Sequence, residues 1–210
     1  MLGGGINSEN RMLGRFDEPD ENLEAKLLKV VKGFDLIVTM GTSAKKYFIE
    51  QGVSSSIEVI SGGIDSSKFS GEEKNIQFDF IFVGRLAEIK RIDIIIEAVA
   101  HNKGIGIDYK VAVVGDGEKR EELKELTRQL GVSDNIQFLG KKNDIEKYFD
   151  KSRVFILTSD SEGLSLALIE AMMSGLPAIV SNVGDLSDIV EDSINGYLVD
   201  SRLSLIHISE

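Results

Sequence analysis

Residues 154–181 have the sequence VFILTSDSEGLSLALIEAMMSGLPAIVS. The apolar run 154–157 is rich in β-forming side chains and predicts a buried parallel strand. A polar loop follows, and residues 164–173 are predicted to form a helix that stops before Ser-Gly-Leu-Pro. Residues 178–180 predict a second strand. Such a strand–loop–helix–strand unit is typical of an open α/β sheet, in which ligands bind at the carboxyl ends of the strands.

Two carboxylates in this unit are candidates for a ligand site. Glu170 is the single charge in an otherwise apolar helix, so burying it requires a polar partner. Glu162 lies eight residues earlier in the loop, and helical spacing places Gly163 and Glu170 on one face. The two carboxylates are therefore predicted to border one cleft. The structural alternative is that Glu162 complements the helix dipole and that Glu170 forms a salt bridge or faces solvent.

The amide groups at the start of the predicted helix are a further candidate feature. Those of Gly163, Leu164 and Ser165 are predicted to lie unpaired at the helix N-terminus. A phosphate group is stabilised in such a position by the N–H groups and by the helix dipole.

The spacing of the two glutamates resembles a known motif. Glu162 and Glu170, with seven residues between them and Ala-Met-x-x-Gly-x-Pro after them, resemble the paired-glutamate motif of family 4 glycosyltransferases of the GT-B fold. The resemblance implies a retaining hexosyltransferase that uses a UDP- or GDP-sugar and no metal or other cofactor. It implies a catalytic role for Glu162 near the donor sugar, and it places Glu170 at the ribose hydroxyls. The implied acceptor is a glycan or a lipid-linked glycan.

The composition limits the classes of partner. The chain has 210 residues, with 24 Lys plus Arg against 35 Asp plus Glu, which gives a net charge of −11. An acidic surface repels a phosphate backbone, so a nucleic-acid partner is not expected. For the same reason, an anionic ligand requires a locally basic pocket.

The composition also bears on metals and on location. The chain has no cysteine and only two histidines, His101 and His207, so we expect no metal centre and a cytoplasmic protein. No apolar run approaches the roughly 20 residues of a membrane span, which leaves peripheral contact with a membrane open.

Residues 1–71 are predicted to be the remnant of a preceding domain and the linker that follows it. Residues 1–21 lack periodicity and predict a loop, because a phosphate loop at Gly3-Gly4-Gly5 would need a preceding strand. Helices are predicted over 22–32 and 43–51, the second capped near Thr42, and strands over 34–39 and 57–60. This order resembles the end of a GT-B N-terminal domain, which implies that most of that domain, with the acceptor site, is missing from the chain.

Residues 72–200 are predicted to form a complete doubly wound α/β domain with a parallel, Rossmann-like sheet. Strands are predicted over 78–83, 110–114, 136–140, 154–157, 178–180 and 195–199, and helices over 92–101, 118–130, 143–149, 164–173 and 186–190. The apolar positions Ile92, Ile95, Ile96 and Val99 are predicted to face the core. Residues 201–210 continue neither the pattern nor the resemblance, which predicts a non-native or truncated end.

Gly84-Arg85-Leu86 and Lys90 follow the first predicted strand of this domain. Two cations at the carboxyl end of a strand can bind a diphosphate and stabilise the charge of a departing nucleotide, whereas isolated surface cations are simply solvated. The residues resemble the Gly-Arg-Leu and downstream lysine of the glycosyltransferase family, which implies catalytic roles for Arg85 and Lys90 and a donor contact at Gly84. The family usually has glycine after this lysine, where the present chain has Arg91.

Gly115-Asp116-Gly117 supplies the first two glycines of a dinucleotide-binding fingerprint, but Arg120 occupies the position of the third. No acidic residue follows the next strand at the expected place, which disfavours a nicotinamide-dependent oxidoreductase. The same turn resembles a Gly-x-Gly that lies near the donor in the glycosyltransferase family. Asp116 is therefore interpreted either as a donor contact or as a cap of the next helix.

Two further segments resemble the family. The strand 136–140 would meet the nucleotide base through backbone groups, with Phe138 and Leu139 as candidate base contacts whose side chains are better explained as core. The loop after strand 178–180 often has two glycines and a glutamate in the family, where this chain has Gly184-Asp185 and Asp188. A non-catalytic fragment that binds a nucleotide sugar is the alternative function.

Overall fold

The computed structural model describes residues 21–60, 63–69 and 75–200. The helices are α1 (Glu21–Val31), α2 (Thr42–Glu50), α3 (Ile92–Gly104), α4 (Arg120–Gln129), α5 (Glu146–Phe149) and α6 (Leu166–Met173). The strands are β1 (Leu36–Thr39), β2 (Ser56–Val59), β3 (Phe78–Val83), β4 (Val111–Val114), β5 (Ile136–Gly140), β6 (Ser152–Leu157), β7 (Ala178–Ser181) and β8 (Gly196–Val199). The predictions for residues 1–20, 61–62, 70–74 and 201–210 lie outside the described residues.

Strands β3 to β8 form one parallel sheet in the order β5-β4-β3-β6-β7-β8. Chain order reverses between β3 and β6, where Ile81 lies opposite Phe155, so this pair marks the topological switch point of the sheet. The predicted doubly wound parallel α/β fold is confirmed. In such a sheet the ligand crevice lies beyond the carboxyl ends of the two strands at the switch point.

The main core lies between this sheet and its helices. Strands β4 and β7 are buried along their whole length, as expected for parallel strands that are covered on both faces. From α3, Ile92, Ile95, Ile96 and Val99 are each no more than 4% exposed, which confirms their predicted inward direction. The sheet is therefore held rigidly beneath the loops that follow its strands.

Three helices of this domain begin later than predicted. They are α4 at Arg120, α5 at Glu146 and α6 at Leu166. In α6 the reason is Ser165, which is the N-cap residue and whose hydroxyl oxygen accepts a hydrogen bond from Leu168 N at 3.3 Å. The helix predicted over 186–190 is reduced to a 3₁₀ turn over Leu186–Asp188.

The N-terminal unit has a small sheet and core of its own. Strands β1 and β2 pair in parallel, and α1 and α2 cover one face of the pair. The buried apolar residues of this unit are Leu27, Val31, Tyr47, Phe48, Val53 and Ile57. The Tyr47 hydroxyl donates a hydrogen bond to Glu24 Oε1 at 2.5 Å, which ties α2 to α1.

The cap of α2, predicted near Thr42, lies one residue earlier, and α2 begins at Thr42. Gly41 occupies the N-cap position, and it has no side chain to bind the free amide groups of the first turn. These amide groups are bound instead by carboxylates from the loop that follows β7.

Candidate active site

The loops after β3 and β6 bring Lys90 and Glu162 together beside the switch point. Lys90 Nζ donates a hydrogen bond to Glu162 Oε1 at 2.6 Å, and the two side chains are 20% and 8% exposed. The hydroxyl of Ser159 donates to the same carboxylate oxygen, also at 2.6 Å. Charge-assisted hydrogen bonds of this kind are short and strong, so Glu162 is held in a defined position. Two predicted site residues that lie far apart in sequence are thus in direct contact.

Hydrogen bonds to main-chain carbonyl oxygens hold the two loops in register. The Thr158 hydroxyl donates to Lys90 O at 3.1 Å and to Arg91 O at 2.8 Å. The amide of Asp160 donates to Ile89 O at 2.9 Å. Since these bonds fix the backbone on both sides of the switch point, the Lys90–Glu162 pair does not depend on side-chain packing alone.

The backbone conformation of Arg91 is one that favours glycine, the residue that the glycosyltransferase family usually has at this position. Its backbone has φ 46° and ψ 45°, in the left-handed region, and α3 begins directly after it at Ile92, as predicted. Its guanidinium binds Asp93 at 2.9 Å and Asp160 at 3.4 Å. The hydrogen bonds to Asp93, followed by the charges of Asp93 and Asp160, raise the pKa of Arg91 above its usual value. These ion pairs offset part of the strain that a side chain introduces in this conformation.

A pocket of about 650 Å³ lies on the same edge of the sheet, at the carboxyl ends of β3, β4 and β5. It is lined by Val83, Gly84, Arg85, Val114, Gly115, Asp116, Gly117, Lys141, Lys142, Asn143 and Ile145. Three of these side chains are cationic and one is acidic, although the whole chain has a net charge of −11. The pocket therefore has the locally basic lining that an anionic ligand requires, and its volume suits a small-molecule site.

The glycines of the pocket serve close contacts between loops. A Cβ atom on Gly115, which has φ 137°, would lie 1.8 Å from Gly84 O, and one on Gly117 would lie 2.3 Å from Leu86 O. The amide of Leu86 also donates to Asp116 O at 3.0 Å. The Gly-x-Gly turn is thus required for packing against the loop that carries Arg85, whether or not a ligand is bound.

Asp116 lines the pocket and does not cap α4. Its Oδ1 accepts a hydrogen bond from Gly117 N at 2.9 Å and lies 3.5 Å from Arg120 Nη1. The N-cap position of α4 belongs to Lys119, because the helix begins later than predicted. The helix-cap interpretation is therefore wrong, and the donor contact stays a prediction.

Helix α6 begins later than the predicted amide site requires, whereas the donor contacts predicted for Gly163, Leu164 and Ser165 stay predictions. Gly163 and Leu164 lie in the loop before the helix, and Ser165 is the N-cap residue. The amide of Leu168, in the first turn of α6, is already hydrogen-bonded to the Ser165 hydroxyl oxygen. The prediction that the amides of these three residues form the helix N-terminus is wrong.

Glu170 is half-buried on α6. Because the helix begins after Gly163, the predicted stacking of Gly163 on the Glu170 face does not form within the helix. The role of Glu170 at the ribose stays a prediction. Phe138 and Leu139 are half-buried and pack against the main core, and neither lines the pocket.

Several site residues were not predicted from the sequence. Ser159 is fully buried behind Glu162, and Lys141 and Lys142 supply two of the three pocket cations. The sequence contained a signal for all three, because these polar residues lie within two positions of the ends of β6 and β5, at the edge of the sheet where ligands bind.

Two further features of the described residues bear on function. Within residues 21–60, 63–69 and 75–200, no three His, Asp or Glu side chains come together in a cluster suited to a metal ion. In the same ranges, no helix has both the length and the hydrophobicity needed to cross a membrane. A smaller cavity of about 30 Å³ beneath α3, lined by residues that include Phe80, Ile95 and Asn102, is too small for a nucleotide.

Solved structures with the same architecture define the class of this fold. Anabaena Alr3699/HepE in complex with UDP and glucose superposes with a TM-score of 0.77 at 23% identity, over 89% of this chain and 56% of that one. The pneumococcal O-GlcNAc transferase GtfA in complex with UDP and GlcNAc gives a TM-score of 0.76 at 26% identity, over 98% of this chain and 41% of that one. The fold is that of the GT-B glycosyltransferases, as the resemblance implied.

The sequence matches a family model over residues 64–209, which is more than half of the 210 residues. The chain belongs to the family described as Glycosyl transferases group 1. The Escherichia coli UDP-Gal:alpha-D-GlcNAc-diphosphoundecaprenol alpha-1,3-galactosyltransferase is 32% identical over 160 residues, which is 69% of this chain and 41% of that protein. The chain spans between 20% and 41% of the length of eight such relatives. The finer assignment to family 4 stays a prediction.

Proposed function

We propose that this chain forms the donor half of a glycosyltransferase that moves a hexose from a UDP- or GDP-sugar to a glycan or a lipid-linked glycan, with retention of configuration. The observation that carries the proposal is the Lys90–Glu162 pair at the switch point, on the same sheet edge as the cationic pocket of Arg85. This arrangement offers positive charge for a diphosphate and a fixed carboxylate for a sugar hydroxyl. The family membership supports the same reaction class.

The proposed step breaks the bond between the anomeric carbon and the β-phosphate oxygen, and the electron pair of that bond leaves with the nucleoside diphosphate. A new bond forms between the anomeric carbon and the hydroxyl oxygen of the acceptor, and the proton of that hydroxyl passes to the departing β-phosphate oxygen. Arg85 and Lys90 stabilise the charge that develops on the diphosphate. In the structure, Lys90 forms an ion pair with Glu162. When donor binds, Lys90 turns to a phosphate oxygen and the Glu162 carboxylate accepts a hydrogen bond from a sugar hydroxyl.

The pocket at the ends of β3, β4 and β5 is the proposed nucleoside site. Arg85 lies where this pocket meets the loop that leads to Lys90, so a nucleotide sugar extends from the pocket toward the switch point. UDP is the first nucleotide to test, because the two solved structures described above contain UDP. We also propose a cytoplasmic location with peripheral membrane contact, because one relative is named for an undecaprenol-linked acceptor.

A thermal-shift panel of UDP-, GDP- and ADP-sugars tests the proposal. A ligand that binds only the folded state stabilises it by about 2.7 kcal/mol at a hundred times its dissociation constant, so the matching nucleotide gives a clear rise in Tm. No rise with any nucleotide sugar contradicts the proposed function. A sugar-transfer assay then separates catalysis from binding without turnover, which is the second candidate function.

The diphosphate site is tested by calorimetry on Arg85→Ala. We expect the affinity for the matching nucleoside diphosphate to fall by about 1.5 to 3 kcal/mol, the range for hydrogen bonds to a charged group. Arg128→Ala is the matched control, because Arg128 is an exposed cation on α4 whose guanidinium pairs with Glu125 and which does not line the pocket. Unchanged affinity in Arg85→Ala removes Arg85 from the site.

A further inference from the structure

The N-terminus of α2 is bound by two carboxylates from the far end of the chain. Ser43 N donates a hydrogen bond to Asp185 Oδ1 at 2.6 Å, across 142 residues of sequence. Thr42 donates to Asp188 through its amide at 3.2 Å and through its hydroxyl at 2.8 to 2.9 Å. These contacts satisfy amide groups that the glycine N-cap leaves free, and the negative charges complement the helix dipole.

The contact at Asp185 is closely fitted. Asp185 is only 5% exposed. A Cβ atom on Gly41 would lie 2.0 Å from Asp185 Oδ2, so the α2 N-cap has no space for any larger residue while the carboxylate keeps its place. Asp185 is therefore a buried junction between the N-terminal unit and the loop after β7.

The same loop also packs against the backbone of Glu162. Gly184 has φ 59°, and a Cβ atom at this position would lie 1.8 Å from Glu162 O. The Glu162 side chain in turn contacts Lys90 and Ser159. A continuous chain of contacts thus runs from the α2 N-terminus through Asp185 and Gly184 to the carboxylate at the switch point.

We propose that Asp185 is a positioning residue, which places Glu162 for the donor sugar by fixing Gly184 against its backbone. The N-terminal unit thereby sets the position of a residue in the donor site. This inference rests on the proposed function. We expect loss of Asp185 to weaken binding of the donor sugar and not of the nucleotide. The loop that carries Asp185 follows β7, whereas the proposed nucleoside pocket lies at the ends of β3, β4 and β5.

The ratio of two affinities distinguishes this role from general destabilisation. We expect Asp185→Ala to weaken binding of UDP-glucose by about tenfold, the equivalent of one net hydrogen bond, and to change the affinity for UDP by less than about twofold. If the thermal-shift panel shows that the chain binds GDP-sugars, GDP-mannose and GDP replace UDP-glucose and UDP in this comparison. Asp185→Asn keeps an oxygen that accepts from Ser43 N, so its UDP-glucose affinity is expected to lie close to that of the unmodified chain.

Two more variants make the test specific. Gly41→Ala approaches the same contact from the N-terminal unit and is expected to reproduce the Asp185→Ala pattern, because the new methyl group displaces the Asp185 carboxylate. Asp192→Ala is the matched control. Asp192 also accepts a hydrogen bond from a backbone amide, that of Leu198 in β8 at 2.9 Å, but this bond joins the strand to the turn directly before it and does not reach the N-terminal unit. In Asp192→Ala, the ratio of the UDP-glucose affinity to the UDP affinity is expected to stay unchanged.

Equal losses for UDP and UDP-glucose, or no loss for either, overturn the positioning role. If the unmodified chain binds no nucleotide sugar, the proposed function fails, and amide hydrogen exchange still tests the contact itself. Faster exchange at residues 161–163 in Asp185→Ala, and not in Asp192→Ala, supports the coupling to Glu162. Unchanged exchange at these residues overturns it.

Discussion

At the scale of single residues, the Lys90–Glu162 ion pair joins the loops after β3 and β6, and the Ser159 hydroxyl binds the same carboxylate oxygen. The motif spacing predicted that both residues belong to a site at the strand ends, and the structure brings their side chains into contact. The shared hydrogen bond from Ser159 was not predictable, because it depends on the path of a loop that has no regular pattern. The left-handed backbone conformation of Arg91 was also not predicted, although the sequence showed that Arg91 stands where the family usually has glycine.

Lys90→Ala should lower the free energy of unfolding by about 1 to 3 kcal/mol, because the nearly buried Glu162 carboxylate then lacks its charged partner. Removing both side chains with Lys90→Ala and Glu162→Ala should cost less than the sum of the single variants, because no unpaired charge remains. Urea denaturation of the three variants measures the difference. Strict additivity shows that the pair does not interact in solution.

Arg91 provides a second test at a single residue. Arg91→Ala loses the ion pairs and keeps the left-handed backbone, whereas Arg91→Gly loses the ion pairs and relieves the strain. We expect the glycine variant to be more stable than the alanine variant by about 1 kcal/mol, the opposite of the order inside a helix. Thermal denaturation gives the order. An alanine variant equal to or better than glycine contradicts the left-handed conformation.

Among the structural elements, the strands of the main sheet were predicted to within about two residues, because buried apolar runs determine them directly. Helix starts were less accurate. The starts of α4, α5 and α6 depend on which of several neighbouring polar residues occupies the cap, and for α6 the answer is the Ser165 hydroxyl bond to Leu168. The acceptor that binds the first turn of α2 was beyond prediction, since Asp185 lies in a distant part of the chain.

The loops after β3 and β4 give a prediction with a matched control. Gly115 and Gly106 both have positive φ, but a Cβ atom would strike Gly84 O only at Gly115, and Gly106 has nothing within 4 Å. Gly106→Ala should cost about 1 kcal/mol for backbone strain alone. Gly115→Ala should cost at least about 3 kcal/mol, because a backbone atom has to move as well. Similar losses of stability in chemical denaturation contradict the close loop contact.

The contact between α1 and α2 predicts a pH effect. Burial, and then the hydrogen bond and charge of Glu24, raise the pKa of Tyr47 above its usual value of 10.0. Because the folded-state pKa is the higher one, the stabilisation is complete below about pH 10 and is lost as the pH rises above that value. Between pH 9 and 11 the unmodified chain should lose more stability than Tyr47→Phe, in denaturation curves collected across this range. Parallel pH profiles contradict the assignment.

At the scale of the whole molecule, an acidic chain concentrates cations at one edge of its parallel sheet. The whole chain has a net charge of −11, whereas Arg85, Lys141 and Lys142 line a pocket beside the switch point. The fold class followed from alternating strands and helices, and the family followed from a motif of two glutamates. The contact between the N-terminal unit and the loop after β7 needed coordinates, because nothing in local sequence pairs Ser43 with Asp185.

The most direct test of the central claim is a crystal structure of the chain with the nucleoside diphosphate that the thermal-shift panel selects. We expect the diphosphate oxygens to lie within hydrogen-bonding distance of the Arg85 and Lys90 side chains, with the nucleoside in the pocket formed by the loops after β3, β4 and β5. A nucleotide bound on any other surface, with Lys90 still paired with Glu162 and no contact between the diphosphate and Arg85, would contradict the account.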